Sequence, residues 1–279
     1  MPKIISFQGE LGCYSHQASL NIFPDAKVMP CDTFDEAVLS VKNKSSDCTI
    51  LPVENSTYGR VAAIHELLRE TGLNIIEEYF LRVRINLFGV KNSTLKDIEK
   101  AFSHSVLLGQ CKSFLINNKI EACNYSDTAG AAKFVSEQNK KKFGALASSL
   151  AGKIYGLKKL SSDIEDMKNN TTRFLILSEK SDKNISHTNC ITTVIFQVRN
   201  IPSSLYKALG GFATNSVNIV KLESYMVGAS FTATQFYADI EGHPEQTSVK
   251  NALDELKYFT SSYKIIGVYK RHDFREEKK

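Results

Sequence analysis

The sequence predicts an α/β protein in two parts, a two-lobed region of alternating strands and helices followed by a smaller β-α-β-β-α-β unit of ferredoxin-like order. Three observations carry this reading. Short β-rich apolar runs alternate with stretches of helical spacing over the first two thirds of the chain. A polar stretch without apolar periodicity, SEKSDKNISHTN at 178–189, then interrupts the pattern as a linker. Beyond it the order of elements changes. At 279 residues the chain is long for one core and comfortable for two.

Taken in order, residues 3–7, 26–31 and 49–53 read as strands, with helices at 15–23 and 34–42 for which Ser15 and Asp32 or Thr33 are candidate N-caps. A second series follows, with strands at 81–90, 120–125 and 143–147 and helices near 107–117, 129–138 and 149–155. Two such series predict two lobes about a cleft within residues 1–180, one of about 1–78 with 169–180 and the other of 79–168. The second part, 190–270, carries strands at 191–198, 217–227, 231–240 and 263–269 and helices at 203–215 and 248–259. The charged tail after Arg271 is expected to fray.

Composition narrows the function classes. With 42% apolar and 23% charged residues, the chain has the ordinary balance of a soluble globular protein that buries substantial cores. Its start lacks the long apolar stretch of a secretory signal and no run reaches membrane-spanning length, so a cytoplasmic, non-membrane protein is expected. The six scattered cysteines form no C-x-x-C pair and have no histidine at ligand spacing, which reads as reduced thiols and no metal centre. The net charge of +5 is modest and the run Lys140-Lys141-Lys142 has no interleaved aromatics, which argues against nucleic acid while favouring a small anionic substrate. P-loop, dinucleotide fingerprint, nucleophile elbow and H-E-x-x-H are all missing, so an enzyme of this sequence works without a cofactor, through hydroxyls, amides, one arginine and a carboxyl.

Several short segments place small polar groups at strand ends or helix starts, where open α/β folds hold ligands. In GELGCYS, Gly9 and Gly12 follow a strand and Ser15 opens a helix whose free N–H groups suit an anion. LPVENS presents Glu54, Asn55 and Ser56 together at the end of an apolar strand. YSDTAGAA sets Asp127 and Thr128 before a small-residue helix, and ALASS brings Ser148 and Ser149 to another strand end. In NNTTRFLIL, Thr171, Thr172, Arg173 and Phe174 open an apolar strand, and the planar fork of Arg173 matches a carboxylate. Taken singly, each of these also fits an ordinary turn or cap.

Together and in this order, the segments resemble prephenate dehydratase, and the downstream β-α-β-β-α-β unit resembles the amino-acid-sensing ACT domain attached to that enzyme; the likeness covers nearly the whole chain. The resemblance implies a two-lobed, periplasmic-binding-protein-like catalytic region and loss of carbon dioxide and water from prephenate to give phenylpyruvate in phenylalanine biosynthesis. It assigns the catalytic threonine to Thr172. A positioned donor would stabilise the charge that develops as the hydroxyl leaves, and Arg173 would grip the carboxylate that stays. Ser15, Asn55, Ser56, Thr128, Ser148, Thr171 and Phe174 would line the substrate. Glu54 would either organise its loop or act as an acid of raised pKa, the organising role being favoured.

The resemblance further implies feedback inhibition by L-phenylalanine in a homodimer or homotetramer, with Ser204, Leu205, Asn218, Glu223 and Ser224 walling the effector pocket. Some family motifs are altered. Ser103-His104-Ser105-Val106 stands where the family has Ser-His-Pro-Gln, Ser203-Ser204-Leu205 where it has Gly-Ala-Leu, and Tyr225-Met226 where it has Arg-Pro, so weaker inhibition is expected. The competing readings are an arogenate-preferring dehydratase, a two-lobed binding protein without catalysis, and a C-terminal unit that only assembles subunits.

Overall fold

A computed structural model describes residues 3–181, 185–226 and 233–276. The elements run β1 (Ile4–Gln8), α1 (Tyr14–Ile22), β2 (Lys27–Cys31), α2 (Phe34–Lys42), β3 (Cys48–Asn55), β4 (Gly59–Arg60), α3 (Ala62–Glu70), β5 (Asn74–Arg82) and β6 (Asn86–Gly89). Next come β7 (Lys100–Ser103), α4 (Ser105–Gln110), α5 (Lys112–Asn117), β8 (Glu121–Asn124), α6 (Thr128–Gln138), β9 (Phe143–Ala147), α7 (Ser149–Ile154), β10 (Lys158–Ser161) and β11 (Thr171–Ser178). The last six are β12 (Cys190–Val198), α8 (Ser204–Thr214), β13 (Ile219–Met226), β14 (Ala233–Glu241), α9 (Thr247–Phe259) and β15 (Thr260–Lys270). The chain divides into two compact units, Met1–Leu67 with Tyr79–Leu175, and Leu68–Glu78 with Ile176–Lys279.

In the first unit β1 pairs in parallel with β2 on one side and β3 on the other, and β11 lies beside β3. The central strand is buried on both faces, so its polar residue must be satisfied internally; the Ser6 hydroxyl donates to the Ala37 carbonyl at 2.8 Å. A second sheet orders its strands β10-β6-β9-β7-β8, with β7 parallel to β8 and β9. Helix α6 lies on this sheet through Ala129, Ala131 and Ala132, all fully buried, because residues without long side chains let helix and sheet approach closely. Both series leave their strand ends and helix starts on the walls of one cavity.

In the second unit the strand order β13-β14-β12-β15 is antiparallel throughout, and β5 joins in parallel beyond β15 through Ile75 and Gly267. Helices α8 and α9 cover one face, packing Ala208, Phe212, Leu253 and Leu256 onto Val194, Phe196 and Ala238. This is the ferredoxin-like order that the sequence predicts for residues 190–270. Val227, Phe231 and Thr232, expected in its inner strands, lie outside the described residues.

Some local expectations are corrected. The single strand expected at 81–90 is two, because the backbone between β5 and β6 turns its donors elsewhere: Val83 N–H to the Asn170 carbonyl and Ile85 N–H to a carboxylate oxygen of Glu165. The helix expected at 107–117 breaks at Cys111, where Asp166 inserts, its N–H meeting the Gln110 carbonyl at 2.7 Å and its carboxylate the Ser113 N–H at 3.2 Å. Cys13, not Ser15, caps α1. Nor does the tail fray up to residue 276. Arg275 reaches back with Nε and an Nη each 2.8 Å from the buried Glu78 carboxylate, a two-point match of fork to carboxylate. Among the described residues no helix is long and apolar enough to cross a membrane.

Candidate active site

The cavity of about 440 Å³ in the first unit is walled by the turn after β1, the β3–β4 hairpin, the starts of α4 and α6, and the first residues of β11. Its shape begins with glycine. Gly12 has φ +96°, and a Cβ there would lie 2.6 Å from Ala151 Cα, so the turn after β1 rests directly on α7. Two further bonds fix it. The Ser148 hydroxyl donates to the Gly12 carbonyl at 2.6 Å, and the Gly12 N–H donates to His16 Nδ1 at 2.9 Å, with the His16 ring stacked on Phe7. Burial lowers the pKa of His16 and keeps the ring neutral, which this bond requires. The same burial pushes the Cys13 thiol up to about 12, so it lines the cavity as a small apolar group and not as a nucleophile.

Opposite, the β3–β4 hairpin places Asn55 at the centre of a polar network. Its Oδ1 accepts the N–H groups of Thr57 and Tyr58 at 3.0 and 3.1 Å, closing the turn. Its Nδ2 donates to Asn170 Oδ1 at 2.7 Å and to Thr172 Oγ1 at 3.0 Å, and Asn170 in turn donates to Gln110. Thr172 therefore receives a hydrogen bond on its oxygen from a side chain that is itself held. The hydroxyl's own hydrogen is not used by that bond.

Side chains alternate along a strand, so Thr172 and Phe174 face the cavity while Arg173 points to the other side of β11. There the Arg173 guanidinium is 1% exposed, pairs with Glu54 at 3.1 Å and lies over the Phe80 ring. Arg173, expected to grip a substrate carboxylate, is placed inside the protein and off the cavity lining. Glu54, its partner, stands opposite Arg60 in the β3–β4 ladder. Ser15, Asn55, Thr128, Thr172 and Phe174 line the cavity. Ser56, Ser148 and Thr171 instead build its wall: the Ser56 hydroxyl donates to the Asn169 carbonyl at 2.8 Å and accepts the Thr171 N–H at 3.0 Å.

The cavity also contains Gln8, Tyr14, Tyr58, Arg60 and Gln110, which sequence reasoning missed, together with His104 and Asp127, which it named but did not place there. His104 caps α4 through its ring, so the segment that departs from the family's Ser-His-Pro-Gln still closes a helix start at this wall. Asp127 caps α6 and accepts the Gly130 N–H at 2.9 Å. The lining thus has an apolar part, Val83, Val106, Leu107 and Phe174, beside a polar part with one guanidinium, from Arg60. That division suits a ring bearing anionic groups.

The prephenate dehydratase family matches residues 5–182 of the chain. This chain belongs to the prephenate dehydratase family. It is 42% identical over 276 residues, 99% of this chain and 98% of the relative, to a bifunctional N-acyl-homoserine lactone acylase/prephenate dehydratase of Komagataeibacter europaeus. To the chloroplastic arogenate dehydratase/prephenate dehydratase 1 of Arabidopsis thaliana it is 36% identical over 279 residues, 95% of this chain and 71% of that one. The crystal structure of prephenate dehydratase in complex with L-Phe from Arthrobacter aurescens is similar over 97% of this chain and 90% of that one, with TM-score 0.89 and 26% identity. Membership makes this chain a lyase, and the Thr172 cavity lies wholly within the matched residues.

In the second unit the residues named for an effector lie at the start of α8, just before β13 and on β13. Ser204 and Leu205 open α8, after Ser203 in the left-handed region (φ +65°). Asn218 donates to Glu241, and Glu223 pairs with Lys221 at 3.1 Å. Glu223 and Ser224, adjacent on β13, point to opposite faces of the sheet.

Proposed function

We propose that this prephenate dehydratase family member converts prephenate to phenylpyruvate in L-phenylalanine synthesis. The observation that carries the reading is the Thr172 hydroxyl, aimed into a half-apolar cavity and held at its oxygen by Asn55. In the reaction the ring carbon's bond to its carboxylate breaks and carbon dioxide leaves. That electron pair enters the ring, the carbon–oxygen bond to the hydroxyl breaks, and the departing hydroxide takes a proton to become water. Aromatisation drives the step. Thr172 donates its hydrogen bond to the leaving oxygen, where charge develops only in the transition state. Arg60, at the exposed hairpin, holds the carboxylate of the side chain that stays, and the apolar residues about Phe174 receive the ring.

The second unit acts as an ACT-type sensor for L-phenylalanine in a protein that is at least a dimer. Support comes from the strand order of residues 190–270, from β13 at the sheet edge with Leu222 and Met226 exposed on it, and from the L-Phe bound in the Arthrobacter aurescens structure. The opposed faces of Glu223 and Ser224 leave the α8 start, Ser204 and Leu205, as the better part of the effector wall.

Incubating the purified chain with prephenate should release phenylpyruvate and carbon dioxide in equal amounts; parallel incubations with arogenate and with an N-acyl-homoserine lactone measure the competing substrates. No phenylpyruvate from a folded protein, with turnover of either other compound, overturns the assignment. Adding L-phenylalanine to the assay, with tyrosine as control, tests the sensor.

A further inference from the structure

Away from the Thr172 cavity, the second unit gathers two imidazoles and a carboxylate. His187 stands three residues before β12, and His243 and Glu245 lie in the turn between β14 and α9. One ligand atom from each lies within 4.8 Å of the other two. His187 Nε2 is 3.1 Å from a Glu245 carboxylate oxygen. The His187 and His243 rings stack, with centroids 4.2 Å apart and planes 9° from parallel. Two donors bound at about 2.0–2.2 Å to one tetrahedral zinc ion lie roughly 3.3 Å apart, so the His187–Glu245 separation already has that spacing.

The turn that carries two of the three is held by hydrogen bonds at both ends. The His243 N–H donates to Gln246 Oε1 at 2.8 Å and the Gln246 N–H returns to the His243 carbonyl. The Thr192 hydroxyl on β12 donates to the Gly242 carbonyl at 2.7 Å, and the Gly242 N–H donates to the Cys190 carbonyl at 2.9 Å, which sets the turn against the start of β12. His187 and Glu245 are exposed and His243 is half-buried, so an ion has open access.

We propose that His187, His243 and Glu245 bind one divalent cation of the zinc class, fastening the segment before β12 to the turn between β14 and α9. Two nitrogens and one carboxylate oxygen with an open fourth position is a donor set for zinc, cobalt or nickel and not for magnesium or calcium, which take oxygen ligands. Binding requires one ring to turn out of the His187–His243 stack, because an ion lies in the plane of each imidazole it bonds, and it gives up the Glu245 N–H donated to His243 Nδ1 at 3.2 Å, because the ion either takes Nδ1 or requires the proton to move there. Cys190 lies beside the site, but its thiol is turned to the His187 carbonyl at 3.8 Å and is not among the three clustered ligands.

The test is calorimetric titration of the chelator-stripped full chain with Zn2+ alone, with melting temperature followed in parallel. One ion per chain is expected, with a raised melting temperature. His187→Ala and His243→Ala should each weaken binding by about tenfold or more and remove the thermal shift, since each takes away one of three protein ligands. Cys190→Ser should keep both. Turnover in the Thr172 cavity should be unchanged in all three variants. A wild-type chain without a site, either histidine variant that binds as tightly as wild type, or loss of binding in a folded Cys190→Ser protein would each overturn the proposal.

Discussion

Arg173 on β11 and Glu54 on β3 hold their strands together through an ion pair of 3.1 Å, and the guanidinium is 1% exposed whereas the carboxylate is 30% exposed. A buried guanidinium is tolerated only with its donors occupied, so this pair is a structural demand of the wall behind Thr172.

Arg173→Lys should therefore act on stability first. An ammonium keeps the charge but loses the planar fork and its stacking over Phe80, and a loss of about 1–3 kcal/mol is expected. Chemical denaturation measures it. Turnover should fall with little change in KM, because the side chain does not line the cavity. A stable variant whose KM alone rises would return Arg173 to the substrate.

Thr172→Ala should cut turnover by on the order of a hundredfold or more, the usual consequence of removing one transition-state donor, while the melting temperature barely moves. Thr172→Ser keeps the hydroxyl within reach of Asn55 and should recover most of the rate. Steady-state kinetics on the three proteins decides it, and near-normal turnover in the alanine variant would remove Thr172 from the chemistry.

Legibility in the sequence followed the range of the forces involved. The strand and helix starts were readable because periodicity and caps act within a few residues: Thr33 caps α2, and the β-α-β-β-α-β order of 190–270 survives down to the sheet. The place of Thr172 beside other polar groups was readable through its motif. The facing of Arg173 was not, although strand alternation alone separates it from Thr172 and Phe174 once β11 is registered. Arg60 needed one step more: only the hairpin register that sets it opposite Glu54 brings it to the cavity. The breaks at 83–85 and at Cys111 depended on Glu165 and Asp166, side chains more than fifty residues away in sequence, which no local pattern contains.

Arg60→Gln should raise KM for prephenate by about tenfold or more with a smaller effect on kcat, as expected for loss of a charge-assisted contact made equally in ground and transition states. The residue is exposed at the hairpin, so the melting temperature should hold. Increasing salt should raise the wild-type KM and leave that of the variant nearly flat, through screening of the same attraction. A variant with unchanged KM and salt response would take Arg60 out of substrate binding.

The Gly12–His16 bond makes the cavity wall sensitive to pH. His16 is neutral when its Nδ1 accepts the Gly12 N–H, and its folded pKa lies below the ordinary 6.5 because the ring is buried. The unfolded chain thus takes up a proton at higher pH than the folded one. This contribution to stability is present above about pH 6.5, is lost as pH falls below it, and levels off under the folded pKa. His16→Gln keeps an acceptor for Gly12 but cannot titrate, so its stability should change less than that of wild type between about pH 7 and pH 5. Gly12 is the turn that Ser148 also holds, so turnover should follow the same profile and flatten in the same variant. Denaturation midpoints and initial rates across that range check both, and identical pH profiles for wild type and His16→Gln would show that the histidine does not set them.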